Sequence, residues 1–166
     1  NIALATLNSG DIHMVRGELG QALEHFQRCL EIYEKLGLKQ MVALSLCNLG
    51  ELYLKKGNIE EAQDYYQQSL AIHEEMENAP YIALLLFNLM WVALEREDVS
   101  LAQQYLNKLE QINKRAENKI IDQRYRVAKA LWLKSSKRTR HKLESTKILE
   151  EVIKEHPIML NRAPTL

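Results

Sequence analysis

Little in this 166-residue sequence breaks a helix or crosslinks the chain. Proline occurs only at Pro80, Pro157 and Pro164, which agrees with an all-helical protein rich in Glu, Leu, Gln, Lys and Ala. No apolar run reaches the roughly 20 residues a bilayer crossing requires. The longest, Tyr81 to Leu94, is interrupted by Asn88 and reads as a core helix. No charged-then-apolar signal segment opens the chain, so no membrane partner is expected. With only two cysteines, Cys29 and Cys47, both on apolar helix faces, the expectation is a pair of reduced, buried thiols in a cytoplasmic protein. Catalytic signatures are also missing: no Gly-rich phosphate loop, no G-x-S-x-G, no H-E-x-x-H and no C-x-x-C. His25 and Cys29 stand four apart, but Cys29 falls at a small-residue core position of its helix. No enzymatic activity, cofactor or metal is therefore expected.

Net charge is zero but unevenly distributed. Residues 1–112 carry 8 Lys/Arg against 16 Asp/Glu, and residues 113–166 carry 14 against 6. Such poles steer charged partners or favour weak head-to-tail association of copies, with a featureless solvated surface as the plain alternative.

What the sequence does have is one unit written several times. In 43–72, ALSLCNLGELYLKKGNIEEAQDYYQQSLAI, apolar residues fall at Leu46, Leu49, Leu52 and Tyr53, then at Ala62, Tyr65, Tyr66, Leu70 and Ile72. Those spacings of three and four describe two amphipathic helices. Gly57 and Asn58 lie between them, the glycine suited to positive φ, the asparagine to capping, and Glu60 and Glu61 to the dipole of the second helix. One such hairpin cannot bury both apolar faces alone, so it must stack on copies of itself. Shifting by 40 residues supplies them: Ala3, Ala43 and Ala83; Leu4, Leu44 and Leu84; Asn8, Asn48 and Asn88; Ala22, Ala62 and Ala102. Gly10 pairs with Gly50 and Gly17 with Gly57, although the third copy has Met90 and Glu97 there.

The run NLGELYLKKGNIEEAQDYYQQSL resembles a tetratricopeptide repeat, with Leu49, Gly50, Tyr53, Ala62 and Tyr66 at the family's L-G-x-x-Y and A-x-x-x-F/Y positions. The usual period of that family is about 34 residues. The 40-residue spacing is similar to the longer-helix variety found in kinesin light chains and related adaptors and regulators. The resemblance implies an all-α fold, a right-handed α-solenoid of about four antiparallel helical hairpins, over residues 1–156. The hairpins fall at about 1–37, 39–77, 80–116 and 119–155, followed by an extended or disordered tail over 157–166. Gly37 is expected to close a helix, Pro80 to sit in a first turn and Asp98 to cap. The fourth hairpin is divergent, with Ala128 and Lys129 at the Asn-Leu positions and a basic turn, and reads as a cap. The chain opens at Asn1 already in helical pattern, as an excised or processed piece of a longer protein would.

The resemblance further implies that the first helix of each hairpin lines a concave groove. Asn8, Asn48 and Asn88 then form a row along it, each with an amide donor and a carbonyl acceptor to hold a peptide backbone. Asp11, Glu51 and Trp91 follow one turn on, then Val15, Lys55 and Glu95. The acids favour a protein or peptide partner with basic residues, and Trp91 offers an apolar anchor. The chaperone-binding carboxylate clamp of the family is not expected, because Leu7, Asp11, Leu84 and Asn88 occupy four of its five positions and only Asn48 matches. The cluster Lys134, Lys137, Arg138, Arg140, His141 and Lys142 lacks interleaved aromatics, so it reads as a solvated loop and nucleic acid is not the expected partner. The expected function is a protein-protein interaction scaffold. Two alternatives stay open: a regulatory domain of a larger transcription factor or signalling protein, and a self-assembling module joined through its charged ends.

Overall fold

The computed structural model describes the backbone of residues 2–136 and 138–155, and the side chains of these except 2–6 and 8. Within them the chain forms eight α-helices: α1 (Ile2–Arg16), α2 (Leu19–Lys35), α3 (Lys39–Lys55), α4 (Ile59–Glu75), α5 (Ala79–Glu95), α6 (Val99–Ala116), α7 (Lys119–Ser135) and α8 (Thr139–Glu155). From α2 onward, each begins 20 residues after its predecessor, so the 40-residue sequence period is two helices. Among the described residues no helix is long and apolar enough to cross a membrane. The tail expected over 157–166 lies outside the described residues.

A single turn design repeats. Gly17, Gly37, Gly57, Glu77 and Glu97 each take positive φ, between 52° and 79°. At each, the residue in positive φ donates its N–H three residues back and the next residue donates five back. Examples are Gly57 to the Leu54 carbonyl (3.0 Å) and Asn58 to the Tyr53 carbonyl (2.9 Å). This doubly bonded reversal satisfies two orphaned carbonyls at each helix end. The next helix starts at once, so Leu38, Asn58, Asn78 and Asp98 both complete the reversal and hold the cap position of the next helix. As expected, Gly37 closes α2, Pro80 sits in the first turn of α5, and Asp98 caps α6, its Oδ1 accepting from Leu101 N–H at 2.9 Å. Asn58 differs from expectation: it holds the cap position of α4 but donates its Nδ2 to Glu61 Oε1 (3.2 Å) and caps nothing. Glu61 already answers the dipole, and the amide turns to it instead.

Stacking buries the stripes in two clusters. One joins α1, α2 and α3 through Leu7, Met14, Ala22, Phe26, Cys29, Tyr33, Leu49 and Leu52. The other runs from α3 to α7 around Tyr66, Leu85, Leu86, Leu89, Met90, Leu106 and Leu109. Gly10 and Gly50 are buried where the two helices of a hairpin touch. A Cβ on Gly10 would lie 2.5 Å from Phe26 Cε1, and one on Gly50 would lie 2.6 Å from Tyr66 Cδ1. Ala22, Ala62 and Ala102 have no exposed surface for the same reason of close approach.

The fourth hairpin departs from this design. Glu117 takes φ 36° and Asn118 is extended, its Oδ1 accepting from Ile120 and Ile121 N–H at 2.9 and 3.3 Å. Across this turn α7 packs on α5 as well as on α6. α8 buries little beyond Ser145 and Val152, and leaves Leu143 exposed. Ser145 ties it to α7 by donating its hydroxyl to the Ala130 carbonyl at 2.8 Å.

Candidate functional site

The odd-numbered helices α1, α3, α5 and α7 carry the residues that the resemblance assigns to a groove. The side chain of Asn8 lies outside the described residues. Asn48, half-buried on α3, donates its Nδ2 to Asp11 Oδ1 of α1 at 3.3 Å, bridging two successive hairpins. Lost hydration, and after it the charge of Glu51, push the Asp11 carboxyl above its ordinary value. Glu51 is exposed and within 3.7 Å of Lys55 Nζ, an ion pair worth little at such exposure. Asp11, Asn48 and Glu51 therefore form one acidic neighbourhood across α1 and α3, although a row of free amides was the expectation.

Asn88 and Trp91 stand one turn apart on α5, both half-buried, whereas Leu89, Met90, Val92 and Ala93 around them are buried. Among the described residues the side-chain amide of Asn88 has no hydrogen-bond partner, so its donor and acceptor remain available. Glu95 is exposed beyond Trp91, and Val15 on α1 is 90% exposed, an apolar side chain standing in water.

Arg124 was not singled out by the sequence. Half-buried near the start of α7, it reaches across to α5 and donates Nη1 to the Pro80 carbonyl at 3.2 Å. Burial pushes its guanidinium below the ordinary range, partly offset by the Cys47 sulfur of α3. The signal was legible in the 40-residue register, where Arg124 follows Leu44 and Leu84, one turn before the Asn positions. Two residues on, Arg126 meets Asp122 (3.8 Å), Glu151 (3.4 Å) and Glu155 (2.6 Å).

The two thiols are buried and neither is in a disulfide. Burial, then Glu51, push the Cys47 thiol up to about 12, with Arg124 opposing, and burial raises Cys29 likewise. Both stay protonated near neutral pH, which removes the reactive thiolate. His25 stacks on His13, centroids 5.1 Å apart and planes 8° apart. Among the described residues no group of three His, Cys, Asp or Glu is arranged to hold a metal ion. The basic cluster is not one loop. Lys134 is in the last turn of α7, Arg138 is in the connecting turn, Lys137 lies outside the described residues, and Arg140, His141 and Lys142 fall in the first turn of α8. His141 Nδ1 meets Ser136 Oγ at 2.9 Å and the ring leans on Trp132, so part of the cluster is packed.

The tetratricopeptide repeat family matches this chain over residues 1–75 and again over 41–115, two registers 40 residues apart. Among solved structures, BtubC (BKLC) from P. vanneervenii is similar, with a TM-score of 0.74 over 99% of this chain at 16% identity. The chain spans 66% of the length of that protein. No curated protein matches. Repeats of this kind mediate protein-protein interaction. The family match over most of the length, the exact 40-residue pairing of helices and the shared solenoid architecture agree: this chain belongs to the tetratricopeptide repeat family.

Proposed function

We propose that this chain is a non-enzymatic interaction scaffold whose odd-helix face holds an extended peptide or a helix of a partner protein. The observation that carries this reading is the state of Asn88: half-buried, without a hydrogen-bond partner among the described residues, and beside the part-exposed ring of Trp91. A mid-helix asparagine forgoes helix propensity, and a free amide beside an aromatic anchor offers a peptide both backbone pairing and an apolar pocket. Asn8 and Asn48 extend that row, with Asp11, Glu51, Lys55 and Glu95 selecting side chains. Binding is expected at micromolar strength, since extended ligands gain affinity from several modest hydrogen bonds and lose some to ordering. Two buried, protonated thiols outside any disulfide suit a reducing compartment such as the cytoplasm.

The test is a peptide-library pulldown comparing the wild type with the triple variant Asn8→Ala, Asn48→Ala, Asn88→Ala, after circular dichroism establishes equal helicity. Capture by the wild type and loss by the variant supports the reading. Equal behaviour sinks it and turns attention to the charged poles.

Self-association is the second reading, favoured by the opposite charge of residues 1–112 and 113–166. It predicts association in light scattering at low salt that fades by about 0.1 M, where exposed charges are screened beyond about 10 Å.

A further inference from the structure

Arg124 and Arg126 lie two residues apart on α7 and live in opposite circumstances. Arg126 points to α8, where Glu151 and Glu155, together with Asp122 of its own helix, compensate it within 4 Å. Arg124 is also half-buried, yet among the described residues its one partner is the Pro80 carbonyl, and no carboxylate pairs with it. A guanidinium has five N–H donors in a fork that matches a carboxylate, and a partly desolvated one without a counterion is costly to keep. The protein holds that charge on the odd-helix side, close enough to α3 for Cys47 to feel it.

The other end of the same side is the reverse. Asp11 and Glu51 approach each other closely enough for the second to raise the first, and Asn48 donates to Asp11 where a cation would serve better. Lys55, the nearest cation on α3, is 3.7 Å from Glu51 and does not cancel two acids. One face thus carries an excess of negative charge at α1 and α3 and an uncompensated positive charge at α7.

Resting on the peptide-groove reading above, we propose that this face reads charge order along its ligand. A carboxylate side chain of the bound segment pairs with Arg124, and a Lys or Arg of the same segment sits against Asp11 and Glu51. Packed helix axes lie roughly 10 Å apart, α7 is two steps from α3 and three from α1 along the odd-helix side, and an extended chain advances roughly 3.3 Å per residue, so about six to nine residues separate the two charges. The partner is a segment bearing both signs, and the acid-to-base order fixes the direction in which it lies. A uniformly basic ligand, the simple expectation from the acids alone, leaves Arg124 unanswered.

A phage-displayed library of random ten-residue peptides, selected in parallel against the whole chain and its Arg124→Glu variant, tests this. Wild-type binders are expected to carry an acid and a base at a preferred separation. Arg124→Glu is expected to select a second base where the acid stood, an exchange that no merely structural role of Arg124 produces. A second measurement covers the case in which Arg124→Glu fails to fold by circular dichroism. Changing the conserved acid of a selected peptide to its amide is expected to weaken binding to the wild type about tenfold and to leave binding to Arg124→Met unchanged. Binders without an acid, or an acid whose removal costs the same in both proteins, overturn the charge-order inference while leaving peptide binding intact. A library that yields no binders from either protein overturns both.

Discussion

The second and third hairpins perform one packing task with opposite pairs of residues. Where α3 meets α4, Gly50 gives up its side chain so that the ring of Tyr66 can lie against the backbone, with a Cβ there only 2.6 Å from that ring. Where α5 meets α6, the same two places hold Met90 and Leu106, both buried in the same core. Small plus large has become medium plus medium. The first hairpin, with Gly10 and Phe26, follows the second. Loss of the glycine in the third hairpin is therefore compensation across the interface, and single repeat positions mislead where the pair informs, because close-packed interiors respond to volume at the contact.

The largest effect comes from breaking one pair. Gly50→Met alone drives a side chain into Tyr66 and is expected to cost about 3 kcal/mol in denaturant unfolding followed by circular dichroism. Tyr66→Leu alone leaves a cavity and is expected to cost about 2 kcal/mol. The double variant rebuilds the pair found in the third hairpin, so its cost should fall below either single change. Strict additivity of the two costs would show that the hairpins are not interchangeable and that the pairs do not compensate.

The turns invite a milder version of the exchange. Gly57 and Glu97 occupy equivalent turns, at φ 79° and 58°, with the same pair of backbone hydrogen bonds behind them. Nothing lies within 4 Å of a Cβ on Gly57, so replacing it costs conformation and not contact. Glu97→Gly is expected to stabilise the chain by about 0.5–1 kcal/mol and Gly57→Glu to destabilise it by about the same. A fall in thermal midpoint for Glu97→Gly would mean that the Glu97 side chain contributes more than its strained backbone costs.

Much of this fold was legible, and the reason is redundancy. Helix limits expected from apolar spacing fall within about two residues of those observed; α4, expected to end near Glu77, ends at Glu75. Four copies of one period average away local ambiguity, and Gly17, Gly37 and Gly57 announce their turns. Glu77, Glu97 and Glu117 take positive φ with no such announcement, because the flanking hairpins hold the turn in shape once they are packed. The candidate site was legible in its rows but not in its bonds. Register places Asn48 near Asp11's helix, whereas the choice of the Asn48 amide to donate to Asp11 is a rotamer decision that spacing does not encode. The same holds for Asn58, whose residue type suits a cap and whose amide chose Glu61. Arg124 stands one turn upstream of the Asn row, whereas the residues the resemblance assigns to the groove lie on that row and downstream of it.

The smallest difference expected is one of slope, and it sets the interface between hairpins 2 and 3 against that between hairpins 3 and 4. His73 on α4 is buried, stacks on Tyr81 of α5 at 4.5 Å, and neither of its ring nitrogens has a hydrogen-bond partner. Forty residues on stands Asn113, whose Nδ2 donates to Asp122 Oδ1 of α7 at 3.1 Å, a bond that does not depend on histidine protonation. Burial lowers the His73 pKa in the folded chain below the ordinary 6.5. The unfolded chain therefore takes up the proton first as pH falls. The stability that neutral His73 contributes is complete above about pH 6.5 and is lost progressively below it. His73→Phe keeps a ring against Tyr81 and abolishes the titration. Unfolding free energies measured from pH 7.5 to 5 should fall more steeply for the wild type than for His73→Phe, with carboxylates common to both cancelling in the difference. Parallel curves would mean that acid reaches His73 without opening the α4–α5 interface, and that the two interfaces differ in chemistry but not in their response to pH.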